Sequence, residues 1–248
     1  MPAAELKRRW QAGETTYGAV VRLGLSWTAE VFAHAGLDFV WLDLQHSLTS
    51  DTTLIPMLQA TNGSGATTLA RVPAGDPWII GRTLDAGAEG VIVPMIETRE
   101  AAEQAVAACR FSPEGIRSFS SFRTKLLPGG PMRKALCLVM IETQEGVDNV
   151  EEIARVDGVD GVFIGPSDLA LSLGLEPSAT IQPGPHSDAV DRIRLACDRA
   201  GIVTMITGAP TEMRERGFRA ISLGSDDGFF LSGFRAVLEA RNLDGSAS

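Results

Sequence analysis

The chain has 248 residues, 44% of them apolar and 21% charged, which is enough for one well-buried domain and thin for two. That balance excludes a disordered or collagen-like polymer, and a net charge of −9 argues against nucleic acid, whose binding needs a clustered basic surface. No apolar run approaches the roughly 20 residues of a membrane helix. The first ten residues carry Glu5, Lys7, Arg8 and Arg9 instead of a signal peptide's apolar core, so a soluble cytoplasmic protein with no membrane partner is expected. Cys109, Cys137 and Cys197 follow no metal-type spacing, and an odd count does not suggest a disulfide framework; they read as buried thiols.

Short apolar runs alternate with helix-like stretches along nearly the whole chain. In order they are Tyr17 to Leu23, Phe39 to Leu44, Thr67 to Val72, Gly90 to Met95, Leu136 to Ile141, Gly161 to Gly165, Ile202 to Ile206 and Ala220 to Leu223. Most lack strict apolar/polar alternation, as befits strands buried on both faces of a parallel sheet. Between them, Ser26 opens a helix over Trp27 to Ala35, Thr98 one over Arg99 to Ala108, and Asp188 one over Ala189 to Ala200; Gly36, Gly87, Gly201 and Gly217 stand where helices end. Eight such pairs fit a closed (β/α)8 TIM barrel, typically ~250 residues, as a single α/β domain over 1–248 with its core at about 5–240 and a frayed tail at 244–248. The alternative, a doubly wound open sheet, lacks a Gly-x-Gly-x-x-Gly after its first strand.

In a barrel the working groups sit at the C-terminal ends of strands. The second run ends Asp43-Leu44-Gln45-His46, the third Arg71-Val72-Pro73, the fifth Glu142-Thr143 and the sixth Gly165-Pro166-Ser167-Asp168. Glu142 and Asp168 suit an open site for a hard divalent cation, which fills its remaining positions with water or substrate. Singly, each reads equally well as a cap on the helix that follows. Arg71, at the end of a buried strand, needs an anion, either a neighbouring carboxylate or a substrate. His46 is one of three histidines; a lone histidine is usually structural, but its place just past a strand end favours proton transfer, whereas His34 in a helix and His186 in a Pro-Gly loop have no such placement.

Lys7, Lys125 and Lys134 are the only lysines and none ends a strand, so imine chemistry is disfavoured and carbanion stabilisation falls to a metal. No Gly-x-Ser-x-Gly elbow is present. Arg110, Arg117, Arg123, Lys125, Arg133 and Lys134 crowd a segment rich in Gly, Pro and Ser, opposed only by Glu114. This loop either faces a charged ligand or is a solvated or subunit-contacting surface.

Six segments in order carry a family resemblance: Trp41-Leu42-Asp43-Leu44-Gln45-His46; Arg71-Val72-Pro73 with Asp76-Pro77; Leu84-Asp85-Ala86-Gly87-Ala88; Val93-Pro94-Met95; Ile141-Glu142-Thr143 with Glu145-Gly146; and Gly161 through Leu169. Together they resemble the HpcH/HpaI aldolases, the metal-dependent class II pyruvate aldolases of bacterial catabolism. The resemblance implies a barrel that ligates Mg2+, Mn2+ or Co2+ through Glu142 and Asp168, with a 2-oxo acid chelating through its carboxylate and keto oxygens. It implies that Arg71 contacts the keto oxygen and that His46, with a metal-proximal water, moves the C3 proton. Asp43 and Asp85 would support the site, within or across a subunit boundary, and the amides of Gly165, Ser167 and Asp168 would receive the substrate carboxylate, since Pro166 has no N–H.

The implied reaction is reversible retro-aldol cleavage of a 4-hydroxy-2-oxo acid to pyruvate or hydroxypyruvate and an aldehyde. The implied assembly is a homo-oligomer, a hexamer built as a trimer of dimers that often exchange the C-terminal helix; Phe229, Phe230, Leu231, Phe234, Val237 and Leu238 give that helix an apolar face for packing on its own barrel or a neighbour's. Gln45 stands where several relatives carry Glu, Met140 where they carry Gln, and the loop from Arg117 to Lys134 is short; these departures bear on substrate size and aldehyde preference, not on the metal ligands. The rivals are a carbon-carbon lyase or thioesterase acting on acyl-CoA, like the citrate lyase β subunit, and a non-catalytic barrel that binds oxo acids.

Overall fold

The computed structural model describes the backbone of residues 1–245 and the side chains of residues 1–241. The chain runs through α1 (Ala3–Gln11), β1 (Thr16–Val21), α2 (Ser26–His34), β2 (Phe39–Asp43), α3 (Asp51–Ala60), β3 (Thr67–Arg71), α4 (Pro77–Ala86), β4 (Gly90–Val93) and α5 (Arg99–Cys109). After a long loop come β5 (Leu136–Ile141), α6 (Gln144–Asp148), α7 (Val150–Ala154), β6 (Gly161–Ile164), α8 (Pro166–Ser172), α9 (Pro185–Ala200), β7 (Val203–Thr207), α10 (Pro210–Glu215), β8 (Ala220–Ser225) and α11 (Asp226–Gly245). Every strand pairs in parallel with the next, and β8 returns to β1, so the sheet closes into a (β/α)8 barrel.

Burial on both faces explains the unbroken apolar strands. Val20, Phe39, Trp41, Leu69, Ile92, Leu138, Met140, Phe163 and Met205 fill the lumen, while Val21, Val40, Leu42, Val91, Val139, Ile141, Val162 and Ile164 meet the helices outside. Each such side chain, fully buried, contributes about 1.5–3 kcal/mol. The N-terminal mouth is plugged by Leu6 and Trp10 of α1, and the Trp10 indole N–H donates to the Thr16 hydroxyl at 2.8 Å. Gly18 on β1 is required by this packing: a Cβ there would stand 2.2 Å from the Phe39 ring.

Helix boundaries follow local chemistry. Asp76 accepts from the amides of Trp78 and Ile79 ahead of Pro77, Thr98 accepts from Ala101, and Thr143 accepts from Gly146. Gly87 and Gly201 close α4 and α9 in the left-handed conformation.

Four details differ from expectation. β1 ends at Val21, not Leu23, which puts Arg22 on the C-terminal rim. His186 lies in the first turn of α9 and is fully buried, not in an open loop. The basic segment is folded back on its own barrel: Arg110 donates to Ala135 O, Arg123 to Ala86 O, Arg133 to Ala88 O, and Arg117 pairs with Asp85. α11 continues through Gly245, so the first two residues of the expected tail are helical, and 246–248 lie outside the described residues.

The six apolar α11 residues named above are 45% to 68% exposed. No helix among the described residues is long and apolar enough to cross a membrane.

Candidate active site

Asp43 closes β2 and Arg71 closes β3, and the strands' register sets the two side by side. The guanidinium grips the carboxylate with two N–H donors, Nε to Oδ1 at 2.9 Å and Nη2 to Oδ2 at 2.6 Å. Beneath it lies the Trp41 ring, 5.2 Å from the guanidinium carbon, a cation–π seat. Asp43 is wholly buried, and burial alone would raise its pKa. The Arg71 fork and the amides of Gln45 and His46 outweigh that and hold the carboxyl below its ordinary value. Among the described residues no protein group accepts from Arg71 Nη1, so one face of the fork is left for a ligand.

Glu142, at the end of β5, is 3% exposed, and its Oε1 accepts from the Met95 amide at 2.8 Å. It does not cap α6; Thr143 does. Met95 adopts φ 55°, a left-handed conformation uncommon for a non-glycine residue, and that turn is what aims its N–H at the carboxylate. Glu142 Oε2 lies against Gly165, where a Cβ would be only 2.5 Å away. Burial and the charge of Asp168 push the Glu142 pKa up, while the Met95 amide and Arg71 pull it down; the net shift is upward.

Asp168, in the first turn of α8, is exposed and makes no side-chain hydrogen bond or ion pair among the described residues. Two neighbouring carboxylates, one buried and neither neutralised by a salt bridge, are a donor set that a divalent cation fits. No cluster of three or more His, Cys, Asp or Glu side chains arranged for a metal occurs among the described residues, so a cation here would rest on these two and keep open positions.

The remaining candidates divide. His46 is held on Asp43 through its backbone amide, 3.2 Å from Oδ1, and its imidazole is exposed without a protein partner among the described residues. Ser167 and Asp168 offer their amides in the first turn of α8, but Gly165 N–H already donates to Ile141 O at 3.2 Å, because strand pairing continues one residue past β6. Gly165 is therefore a clearance position and not an amide donor to substrate. Asp85 stands apart on α4, bonded at 2.6 Å to Arg117.

Three groups at the rim carry no clear signal in the residue pattern. The Met95 amide depends on a backbone angle that no residue pattern announces. The Trp41 seat was visible only as one more aromatic in an apolar run. Arg22 falls inside the first apolar run, Tyr17 to Leu23, and so looks interior to a strand.

The family model of HpcH/HpaI aldolase/citrate lyase matches residues 25–232. A curated 5-keto-4-deoxy-D-glucarate aldolase from Shigella sonnei (strain Ss046) is 39% identical over 219 residues, 83% of this chain and 84% of the relative. The crystal structure of an HpcH/HpaI aldolase/citrate lyase family protein from Burkholderia cenocepacia J2315 superposes with a TM-score of 0.88 at 33% identity, covering 96% of this chain and 99% of that one. The structure of the citrate synthase SbnG does so with a TM-score of 0.85 at 30% identity, over 97% and 98% of the two chains. The family is in general divalent-metal dependent. Fold, rim geometry and these matches agree that the chain is a carbon-carbon lyase of the aldolase type, and that it belongs to the HpcH/HpaI aldolase/citrate lyase family.

Proposed function

We propose that the chain cleaves a 4-hydroxy-2-oxo acid bearing a second carboxylate at its far end, giving pyruvate and an acid aldehyde. The curated aldolase relative is named for 5-keto-4-deoxy-D-glucarate, a six-carbon chain with a carboxylate at each end. Breaking it next to the deoxy carbon gives pyruvate and 2-hydroxy-3-oxopropanoate. The observation that carries the reading is the juxtaposition of Glu142 and Asp168 with the uncommitted Nη1 of Arg71 on one rim.

The amides of Ser167 and Asp168 receive the pyruvate carboxylate, and Arg71 Nη1 donates to the C2 oxygen. A divalent cation on Glu142 and Asp168, Mg2+, Mn2+ or Co2+, supplies Lewis-acid stabilisation of the charge that develops on that oxygen. In cleavage His46, through water, takes the C4 hydroxyl proton, the C3–C4 bond breaks, and its electron pair passes into the C2–C3 enolate. A proton returned to C3 completes pyruvate, and the aldehyde departs; condensation runs the same steps backwards. Asp43 fixes the Arg71 fork and the His46 backbone at once. Hydroxypyruvate in place of pyruvate uses the same contacts.

The acyl-CoA rival needs a basic surface for nucleotide phosphates. The arginines of the basic loop are spent on Asp85 and on backbone carbonyls of the same barrel, which favours the aldolase reading. Asp85 would reach a catalytic rim only as a neighbour's residue, and a second copy of this chain over α11 would cover its exposed apolar face; both fit a homo-oligomer, with the hexamer as its form. A cytoplasmic location fits a small-molecule catabolic substrate.

The test is exchange of pyruvate C3 protons in deuterated water with Mn2+ present. Wild type should exchange. Arg71→Ala should lose about 10²- to 10³-fold, the usual cost of an oxyanion contact, and Glu142→Ala and Asp168→Ala should lose more together with calorimetric Mn2+ binding. Undiminished exchange in excess chelator would overturn the proposal, and no exchange by wild type would leave a mere oxo-acid binder.

A further inference from the structure

Arg22 is the first residue beyond β1, level with Asp43 on the neighbouring strand, since Val21 pairs with Leu42. Its backbone is fixed on both sides: the amide donates to Asp226 Oδ1 at 2.9 Å and the carbonyl accepts from Leu48 N at 2.8 Å. Its guanidinium is held much more loosely. Nη2 and Nε approach the His46 carbonyl at 3.2 and 3.4 Å, and Nη1 meets Asp227 Oδ2 at 3.4 Å, with the Arg22 side chain 42% exposed.

Each of the other arginines nearby holds a partner at shorter range. Arg71 and Arg117 hold carboxylates at 2.6 Å, Arg82 pairs with Asp51 at 3.0 Å while covering Trp78, and Arg123 bonds to Ala86 O. Of the Asp227 carboxylate, Oδ1 is buried without a hydrogen bond. A planar guanidinium at these distances gains by exchanging a long single contact for a paired carboxylate at about 2.7–2.9 Å.

Closure of the barrel sets the order of groups around the rim: Arg22 on β1, His46 after β2, Arg71 on β3, Glu142 on β5 and Asp168 after β6. A 2-oxo acid whose carboxylate and keto oxygen face Arg71, Glu142 and Asp168 presents C4 to His46. What lies beyond C4 then extends toward β1, where Arg22 touches the backbone carbonyl of His46 itself. In a six-carbon diacid the second carboxylate is two bonds past C4. We propose that Arg22 is a specificity-determining residue, binding the carboxylate of the aldehyde half and so selecting acid aldehydes over neutral ones. This rests on the aldolase reading above and adds the chemistry of the second substrate.

The experiment is aldol addition to pyruvate with two aldehydes of one skeleton, 2-hydroxy-3-oxopropanoate and glyceraldehyde, in which a carboxylate is exchanged for CH2OH. Wild type should prefer the acid. Arg22→Leu should lower the acid-to-neutral ratio of kcat/KM by about 10- to 100-fold, chiefly through KM for the acid, the scale of a lost charge-assisted bond. Arg22→Lys, which keeps the charge but not the fork, should recover part of the ratio. An equal loss with both aldehydes would show that Arg22 only positions the His46 loop, and an unchanged ratio would show that it does not read the carboxylate; either result overturns the proposal. Pyruvate C3-proton exchange by the wild type separates the two levels: exchange with an unchanged ratio refutes the role of Arg22 alone, and no exchange refutes the aldolase reading beneath it.

Discussion

Removing Asp43 tests how the rim is held together. Its carboxylate is 0% exposed, its partner Arg71 is 12% exposed, and it accepts four hydrogen bonds, two from the guanidinium and two from the amides of Gln45 and His46. Asp43→Ala strips all four and leaves a buried guanidinium without an anion, a change that costs about 3–5 kcal/mol. For a chain of this length each kcal/mol moves Tm by about 2–4 °C, so a loss of roughly 6–20 °C is expected. Asp43→Asn keeps an acceptor for the two amides but turns an amide donor or a neutral oxygen toward Arg71, and should cost about 1.5–3 kcal/mol, the value of a hydrogen bond to a charged group.

Thermal melts of the chelator-treated wild type and the two variants, repeated across pH, provide the assay. Asp43 has a folded-state pKa below its unfolded value. Its contribution is therefore complete above the ordinary carboxylate range and disappears as pH falls through the folded value. The gap between wild type and Asp43→Ala should accordingly be widest near neutrality and close in acid. A melt of Asp43→Ala within about 2 °C of wild type at pH 7 would mean a loss below about 1 kcal/mol and would refute the argument that Asp43 and Arg71 are a desolvated, mutually dependent pair.

Glu142 should behave in the opposite sense. Its folded pKa is raised by burial and by Asp168, so its ionised form costs stability at neutral pH, and that cost fades as pH falls through the raised folded value toward the unfolded one. Glu142→Gln should raise the metal-free melting point, by about 0.5–2 kcal/mol of added stability, while abolishing calorimetric Mn2+ binding; a destabilised variant would contradict this. The thiols should be inert in the native state: all three are buried, Cys137 is pushed well above its ordinary value by Cys109 and burial, and burial pushes Cys197 up to about 12. An aromatic disulfide reagent at pH 8 should find no fast-reacting cysteine until denaturant is added, and one rapid native equivalent would contradict that burial.

The strands were legible because a strand covered on both faces must be apolar at every position, and the rim was legible because charged residues cannot continue such a run. The same rule failed at Arg22. Leu23 follows it, and the apolar pattern alone bridges a single arginine. What ends β1 is pairing geometry, including the irregularity between Gly18 and Val20 against β8, and no residue type signals that. The basic segment was ambiguous for a related reason. Charge clustering is local in sequence, whereas the groups that consume it, Asp85, Ala86 O and Ala88 O, lie roughly 30 to 45 residues away. Burial of His186 was equally hidden, since Pro-Gly surroundings describe the turn before α9 and say nothing of what packs over it. The resemblance implies a substrate contact for the Gly165 amide; only the pairing with Ile141 shows that this N–H is already used.

A chain with a net charge of −9 that takes an anionic substrate must rely on local cations, because screening at physiological ionic strength limits long-range repulsion to about 8 Å. The rim supplies them in graded form. Arg71 is immobilised by Asp43 and Trp41, with one nitrogen left for the reacting end, where a fixed donor aimed at developing charge is worth most. Arg22 is loosely tethered and half exposed, which suits a group that must accept and release the far end of a substrate on every turnover. On the roles proposed for Arg71 and Arg22, tight pairing at β3 and loose pairing at β1 would divide catalysis from selection around one ring of strands. Arg71, tied to Asp43 and through it to the His46 backbone, is where substitution should cost turnover; at Arg22 it should change which aldehyde the enzyme accepts.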